Sequence, residues 1–188
     1  MRYFILRRDP GIEWGLRGHP ALPDDASALT GASITGPTDV FELQVDHPLD
    51  EPPLHLLAAD VVVVSDRLAQ TLRAAGIDNF QSWPASLVNP ETGARWDGYQ
   101  LFNVLGMVSA VAMGASRFDT IIGDDPAIPA LVDFDAVVLD GRRCLDLRMF
   151  RVPESPGLLF IDEGVVDALR AQRPPEGWGI TVQEVEVR

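Results

Sequence analysis

Three histidines, one cysteine and two adjacent aspartates are the side chains here whose chemistry could be catalytic or metal-binding. His19, His47 and His55 all fall in one stretch rich in acids and prolines. A zinc site needs three or four convergent ligands, usually built from tight pairs such as His-x-x-x-His or Cys-x-x-Cys. These spacings supply neither, so no metal and no cofactor is expected, and the histidines read as surface or capping residues. Cys144 stands beside Arg142 and Arg143, which could lower its thiol pKa. A cysteine nucleophile would also need a histidine base carried across from the N-terminal stretch. The simpler reading is a thiol half in the core, just ahead of a strand. As the lone cysteine it can form no internal disulfide, which suits a reducing compartment.

Asp124 and Asp125 follow Gly123 and precede Pro126. Paired carboxylates hold Ca²⁺ or Mg²⁺ only with further oxygens at fixed spacing, and no such loop is visible, so a solvated turn is expected. Ser155, in Pro153-Glu154-Ser155-Pro156-Gly157, reads as part of a turn. There is no Gly-x-Ser-x-Gly elbow, no Walker pattern and no Gly-x-Gly-x-x-Gly. Trp14, Trp83, Trp96 and Trp178 lack the basic neighbours of a nucleic-acid stacking surface. Core packing accounts for most of them, with Trp14 assigned to an interface.

The elements that must position these groups follow from local pattern. Residues 2–7 read as a short strand. Residues 9–60 hold seven prolines and ten acids against Arg17 alone. Long regular elements are not expected there, apart from a strand near Val40–Val45. Val61-Val62-Val63-Val64 reads as a strand buried on both faces. Ser65 then caps a helix with apolar positions Leu68, Leu72 and Ala75, stopped by Gly76. The same unit returns 97 residues later: the strand Leu158–Ile161, the cap Asp162, and a helix striped by Val165, Val166 and Leu169. Residues 61–83 and 158–178 are thus expected to be a duplicated strand–helix unit or two chance-similar amphipathic helices. Residues 95–108, 117–122, 134–139, 145–152 and 180–187 read as strands. The fold class is α+β, a strand-rich mixed sheet with two short strand–helix units and a loop-rich N-terminal segment. A single domain over 1–188 is expected, with 61–188 as its body.

Charge narrows the function classes. Twenty-eight acids oppose fifteen bases, for a net charge of −13. Such a field repels a phosphate backbone, so no nucleic-acid partner is expected. It suits a basic protein partner. No apolar run approaches the ~20 residues of a membrane span, so no membrane partner is expected either. The first eight residues are too short in apolar character for a signal peptide.

Several segments together resemble a known family: Met1–Leu6, Val64–Leu68, Asn79–Pro84, Gly98–Val104, Met149–Pro153, Phe160–Asp162 and Gly177–Gly179. The chain is similar to the myxobacterial-type immunity proteins of bacterial polymorphic toxin (type VI secretion effector) systems. The resemblance implies a cytoplasmic antidote that binds a cognate secreted toxin, often a nuclease, with no catalytic residues to carry over. Nucleases hold phosphate in basic clefts. Carboxylates offered to such a cleft mimic the substrate's charge, and the expected contacts are Asp24, Asp25, Asp46, Asp50 and Glu51, with Asp124 and Asp125 behind them. Two other readings stay open. An enzyme with an unrecognised site should gather titratable groups in one concave pocket. A structural or dimerisation module should expose a large apolar patch. The sequence leaves the oligomeric state open.

Overall fold

The computed structural model describes residues 1–11, 15–17, 22, 28–35, 40–47, 52–58, 61–122 and 131–188. The quadruple-valine run forms β5 (Val62–Ser65), buried along its length, and leads directly into α1 (Asp66–Ala74). The second unit is β12 (Ser155–Asp162) and α2 (Glu163–Ala171). Both helices are nine residues long and start the same way. Ser65 accepts from the Leu68 amide in one, Asp162 from the Val165 amide in the other. These are N-cap bonds to the third residue of each helix, satisfying a donor the first turn leaves orphaned.

Around these units stand β1 (Tyr3–Arg8), β2 (Leu16–Arg17), β3 (Phe41–Val45), β4 (Leu56–Ala58), β6 (Phe80–Val88) and β7 (Arg95–Val104). Further along come β8 (Arg117–Ile122), β9 (Leu131–Ala136), β10 (Val138–Leu139), β11 (Met149–Val152) and β13 (Ile180–Val187). A six-stranded sheet has the order β2-β3-β6-β7-β5-β4, and a five-stranded sheet the order β10-β13-β1-β12-β11.

The two sheets share one plan. Reading β4-β5-β7-β6-β3 against β11-β12-β1-β13-β10, the first three pairings of each are antiparallel and the last is parallel. The helix follows the second strand in each. Beyond the additional edge strand β2, the two differ in connectivity. β7 follows β6 through a hairpin, whereas its counterpart β1 comes from the chain's N-terminal end and lies antiparallel to β13 with Tyr3 opposite Val185.

Alternation along the strands sends side chains to three apolar clusters. Phe4 and Leu6, Val62 and Val64, and Leu159 and Ile161 meet the stripes of both helices in a central core with Trp178. Tyr3, Ile5, Phe150 and Phe160 face the other side of the five-stranded sheet, under β9 residues Val132 and Phe134. Leu43, Val63, Leu87 and Leu101 form the third cluster, on the outer face of the six-stranded sheet. Trp83 packs against this third cluster, so the two tryptophans that follow the strand–helix units serve different faces.

Three local expectations change. Only Met149–Val152 of 145–152 is strand, because Leu145 and Asp146 sit at φ 51° and 56°, in the left-handed region that breaks an extended run. The turn near Ser155 covers Pro153 and Glu154 alone, and Ser155 already opens β12. The proline-rich stretch carries β2 and β4 besides β3, each too short for a periodic signal.

Candidate functional site: the clasped helix starts and the acidic ribbon

Each helix cap is gripped by the residue just ahead of the neighbouring edge strand. In the first half the Ser65 amide donates to the His55 carbonyl at 2.9 Å, and the ring Nδ1 lies 2.7 Å from the Ser65 hydroxyl. In the second half the Asp162 amide donates to the Arg148 carbonyl at 2.8 Å, and Arg148 Nε donates to Asp162 Oδ2 at 2.9 Å. Each gripping residue also reaches the far end of the other unit. His55 Nε2 lies 3.2 Å from Glu176, in the turn after α2, and Arg148 Nη1 donates to the Ala75 carbonyl that ends α1. The two helices are bound end to end by these clasps.

Ser65, His55 and Glu176 have the residue types of a hydrolytic triad. Their geometry gives them other work. The Ser65 hydroxyl oxygen is occupied as the acceptor for Leu68, at 3.1 Å, and Ser65 is buried. It lies outside the small cavity, of about 280 Å³, that His55, Glu176, Pro52, Pro53, Leu54 and Tyr99 line. With Nε2 donating to an ionised Glu176, the neutral ring leaves Nδ1 to accept the Ser65 proton, which satisfies every group. The ring also stands edge-on to Trp178, with centroids 4.9 Å apart.

Burial lowers the His55 pKa below its ordinary 6.5, against the opposing pull of Glu176. The neutral ring is therefore favoured in the folded chain. The unfolded chain takes up its proton near 6.5 and the folded chain only at lower pH. Stability from this clasp is complete above the ordinary value and is lost as pH falls from there through the folded pKa. Thermal melts of the parent and of a His55→Phe variant between pH 7.5 and 5 should show a steeper acid loss in the parent; equal slopes would remove His55 as the cause.

The other candidate residues fall as follows. Asp24, Asp25, Asp50, Glu51, Asp124 and Asp125, along with His19 and Trp14, lie outside the described residues. Asp46 is exposed just past β3 and is held by Arg17 at 2.8 Å, which also reaches Glu91 at 2.9 Å. Of the histidines expected as surface or capping residues, His55 is mostly enclosed and serves the cap of α1 through Ser65, whereas His47 is buried against Trp96. Cys144 is buried in the second cluster, and its thiol pKa is raised by burial and by Asp140, so Arg142 and Arg143 do not activate it. Among the described residues, no three His, Cys, Asp or Glu side chains are grouped as metal ligands would be.

Unpaired negative charge collects elsewhere. β8 and β9 form an antiparallel ribbon in which Phe118 faces Phe134 and Asp119 faces Asp133. The rings meet edge to face, with centroids 5.7 Å apart, against the core below. Asp119, Asp133 and Asp135 are exposed, and among the described residues no arginine pairs with them. Directly opposed like charges destabilise a ribbon. These acids are not among the expected contacts; the alternation of apolar and acidic residues in Val132-Asp133-Phe134-Asp135 is the sequence signal for two of them, and the strand expected over 134–139 takes no account of it. A broad groove of about 600 Å³ also crosses β6 and β7 beside α1, and its charged side chains are all hydrogen-bonded: Arg73 to Ser82, Asp66 to Gln100, and Arg95 to Asp97.

A strand-rich α+β protein of mixed sheets is thus defined, with two short α-helices among the described residues. The chain belongs to the Immunity protein family (Imm11), which it matches over residues 14–187, in agreement with the resemblance to immunity proteins of polymorphic toxin systems. No curated protein matches the chain. No helix among the described residues is long and apolar enough to cross a membrane.

Proposed function

We propose that this chain is a cytoplasmic antidote that binds a cognate bacterial toxin, a nuclease delivered by type VI secretion, and blocks its active site with acidic side chains. The observation that carries the reading is charge placement within a family of immunity proteins. A net charge of −13 has its densest stretch at residues 9–60, and the ribbon adds three carboxylates that no arginine pairs with among the described residues. A basic phosphate-binding cleft is the surface such a field selects. The proposed contacts are Asp24, Asp25, Asp46, Asp50, Glu51, Asp124 and Asp125. Among these Asp46 must exchange Arg17 for a toxin cation, which makes it the weakest contributor. The single domain and the duplicated origin of its two halves belong to the same proposal. The chain works by occlusion and needs no cofactor.

The test is affinity for the catalytically silenced product of the adjacent gene, followed against salt. Binding should weaken about tenfold or more between 50 and 300 mM salt. It should fall further in an Asp24→Ala, Asp25→Ala, Asp50→Ala, Glu51→Ala variant. Tight binding indifferent to both would leave an antidote with a different interface. Absence of binding at micromolar concentration would end the antidote reading for that pair.

A further inference from the structure

Among the described residues, the β8–β9 ribbon is joined to the body along the β9 edge. The Val132 amide donates to the Glu154 carbonyl at 2.9 Å, which ties β9 to the turn between β11 and β12. The outer edge of β8 meets no other strand among the described residues. Both edges of the five-stranded sheet are treated differently. Met107 bridges to Arg151 on β11 and the Val108 amide donates to its carbonyl; Val111 bridges to Leu139 on β10 and the Ala112 amide donates to Val138. Irregular chain thus covers the edges that would otherwise template pairing with another chain, and among the described residues none covers β8 in this way.

The side chains along β8 shield it only in part. Protected edges carry charged side chains, proline or bulges. β8 reads Arg117-Phe118-Asp119-Thr120-Ile121-Ile122, with charge at Arg117 and Asp119 and no proline, and Ile121 is 65 % exposed. The outward face of the ribbon presents Asp119, Asp133 and Asp135. A chain pairing with β8 gains main-chain hydrogen bonds, an apolar contact at Ile121, and a row of carboxylates for alternate basic side chains.

We propose that the open edge of β8 is a docking strand that receives an extended, arginine- or lysine-bearing segment of the toxin by strand addition. This rests on the antidote reading above and names its contact. A second copy of this chain would bring the same carboxylates against each other, which favours the basic partner over self-pairing.

The test uses the full chain and the silenced product of the adjacent gene, with hydrogen exchange measured on the chain alone and in the complex. Amides of residues 117–122 should slow roughly tenfold or more on binding. An Asp119→Lys, Asp133→Lys, Asp135→Lys variant should bind roughly 100-fold more weakly while melting no earlier than the parent, because an opposed like-charge pair is merely inverted. Separate Asp119→Pro and Thr120→Pro variants sort the two directions of the backbone. Neighbouring residues alternate in facing, so one of them should keep its fold and lose binding. A complex that leaves exchange in β8 unchanged, or that tolerates the triple variant, would overturn the docking strand and leave the antidote reading standing. Loss of the complex with the parent chain would instead end both. Protection of β8 in a concentrated sample without the toxin would give the edge to a second copy and overturn the assignment.

Discussion

A chain lacking residues 1–8 is expected not to fold. β1 is the middle strand of the five-stranded sheet, pairing with β12 on one side and β13 on the other. Tyr3, Phe4, Ile5 and Leu6 are all buried, two toward the central core and two toward the second cluster. At about 1.5–3 kcal/mol for each buried side chain, their loss comes to on the order of 10 kcal/mol against a typical domain total of about 5–15. The exposed fork from Arg2 to Glu184 and Glu163 adds little by comparison. The shared plan of the two sheets makes a second, opposite expectation. Because β1 occupies the place that β7 holds beside β6, moving residues 1–9 behind Arg188 through a tight turn should restore the hairpin connection of the first half. That permuted chain should fold and melt within a few degrees of the parent. Circular dichroism and thermal melts of both variants check this. A folded truncation would mean that β12 and β13 can close without β1, and an unfolded permutant would mean that the order of the strands matters beyond their pairing.

The parts of this fold that could be read in the sequence are the ones written within about twenty consecutive residues. A β-branched run, a cap, an amphipathic stripe and a glycine at φ 82° identify β5, α1 and Gly76. The repeat of that grammar at Leu158–Ala171 identified β12 and α2 with the same clarity. Sheet order could not be read in this way, since β1 finds partners more than 150 residues along the chain. Nor could the clasps, because nothing near His55 in sequence announces Glu176, and nothing near Arg148 announces Ala75. Charge density pointed to residues 9–60, where the described Asp46 turns out to be matched by Arg17, 29 residues away. Among the described residues, three acids without an arginine partner sit instead on a ribbon whose alternation is plain in Val132–Asp135. Local charge counts miss such groups, since what makes a carboxylate available to a partner is the absence of a cation in space. Leu145, 72 % exposed in a left-handed conformation, was masked by an alternation that mimics a strand.

Replacing Asp162 by alanine is expected to cost about 3 kcal/mol, more than any other single carboxylate among the described residues. Its two oxygens do separate jobs. Oδ1 caps α2 at 2.8 Å from the Val165 amide, and Oδ2 holds Arg148 at 2.9 Å. Asp162 is only 6 % exposed, so both bonds are made where water cannot readily replace them. Arg148 is more exposed and can regain part of its hydration, which sets the cost near the lower end for breaking a buried pair. The same arginine donates to the last carbonyl of α1, so its release loosens the end of one helix as the start of the other loses its cap. Asp162→Ser separates the two contributions. Serine restores the cap in the form that Ser65 uses in the first half but cannot hold the guanidinium, and it should recover about 1 kcal/mol of the loss. Urea unfolding of the parent and both variants measures this. If the serine variant matched the parent, Arg148 would be a surface contact, and the clasp between the two units would rest on His55 alone.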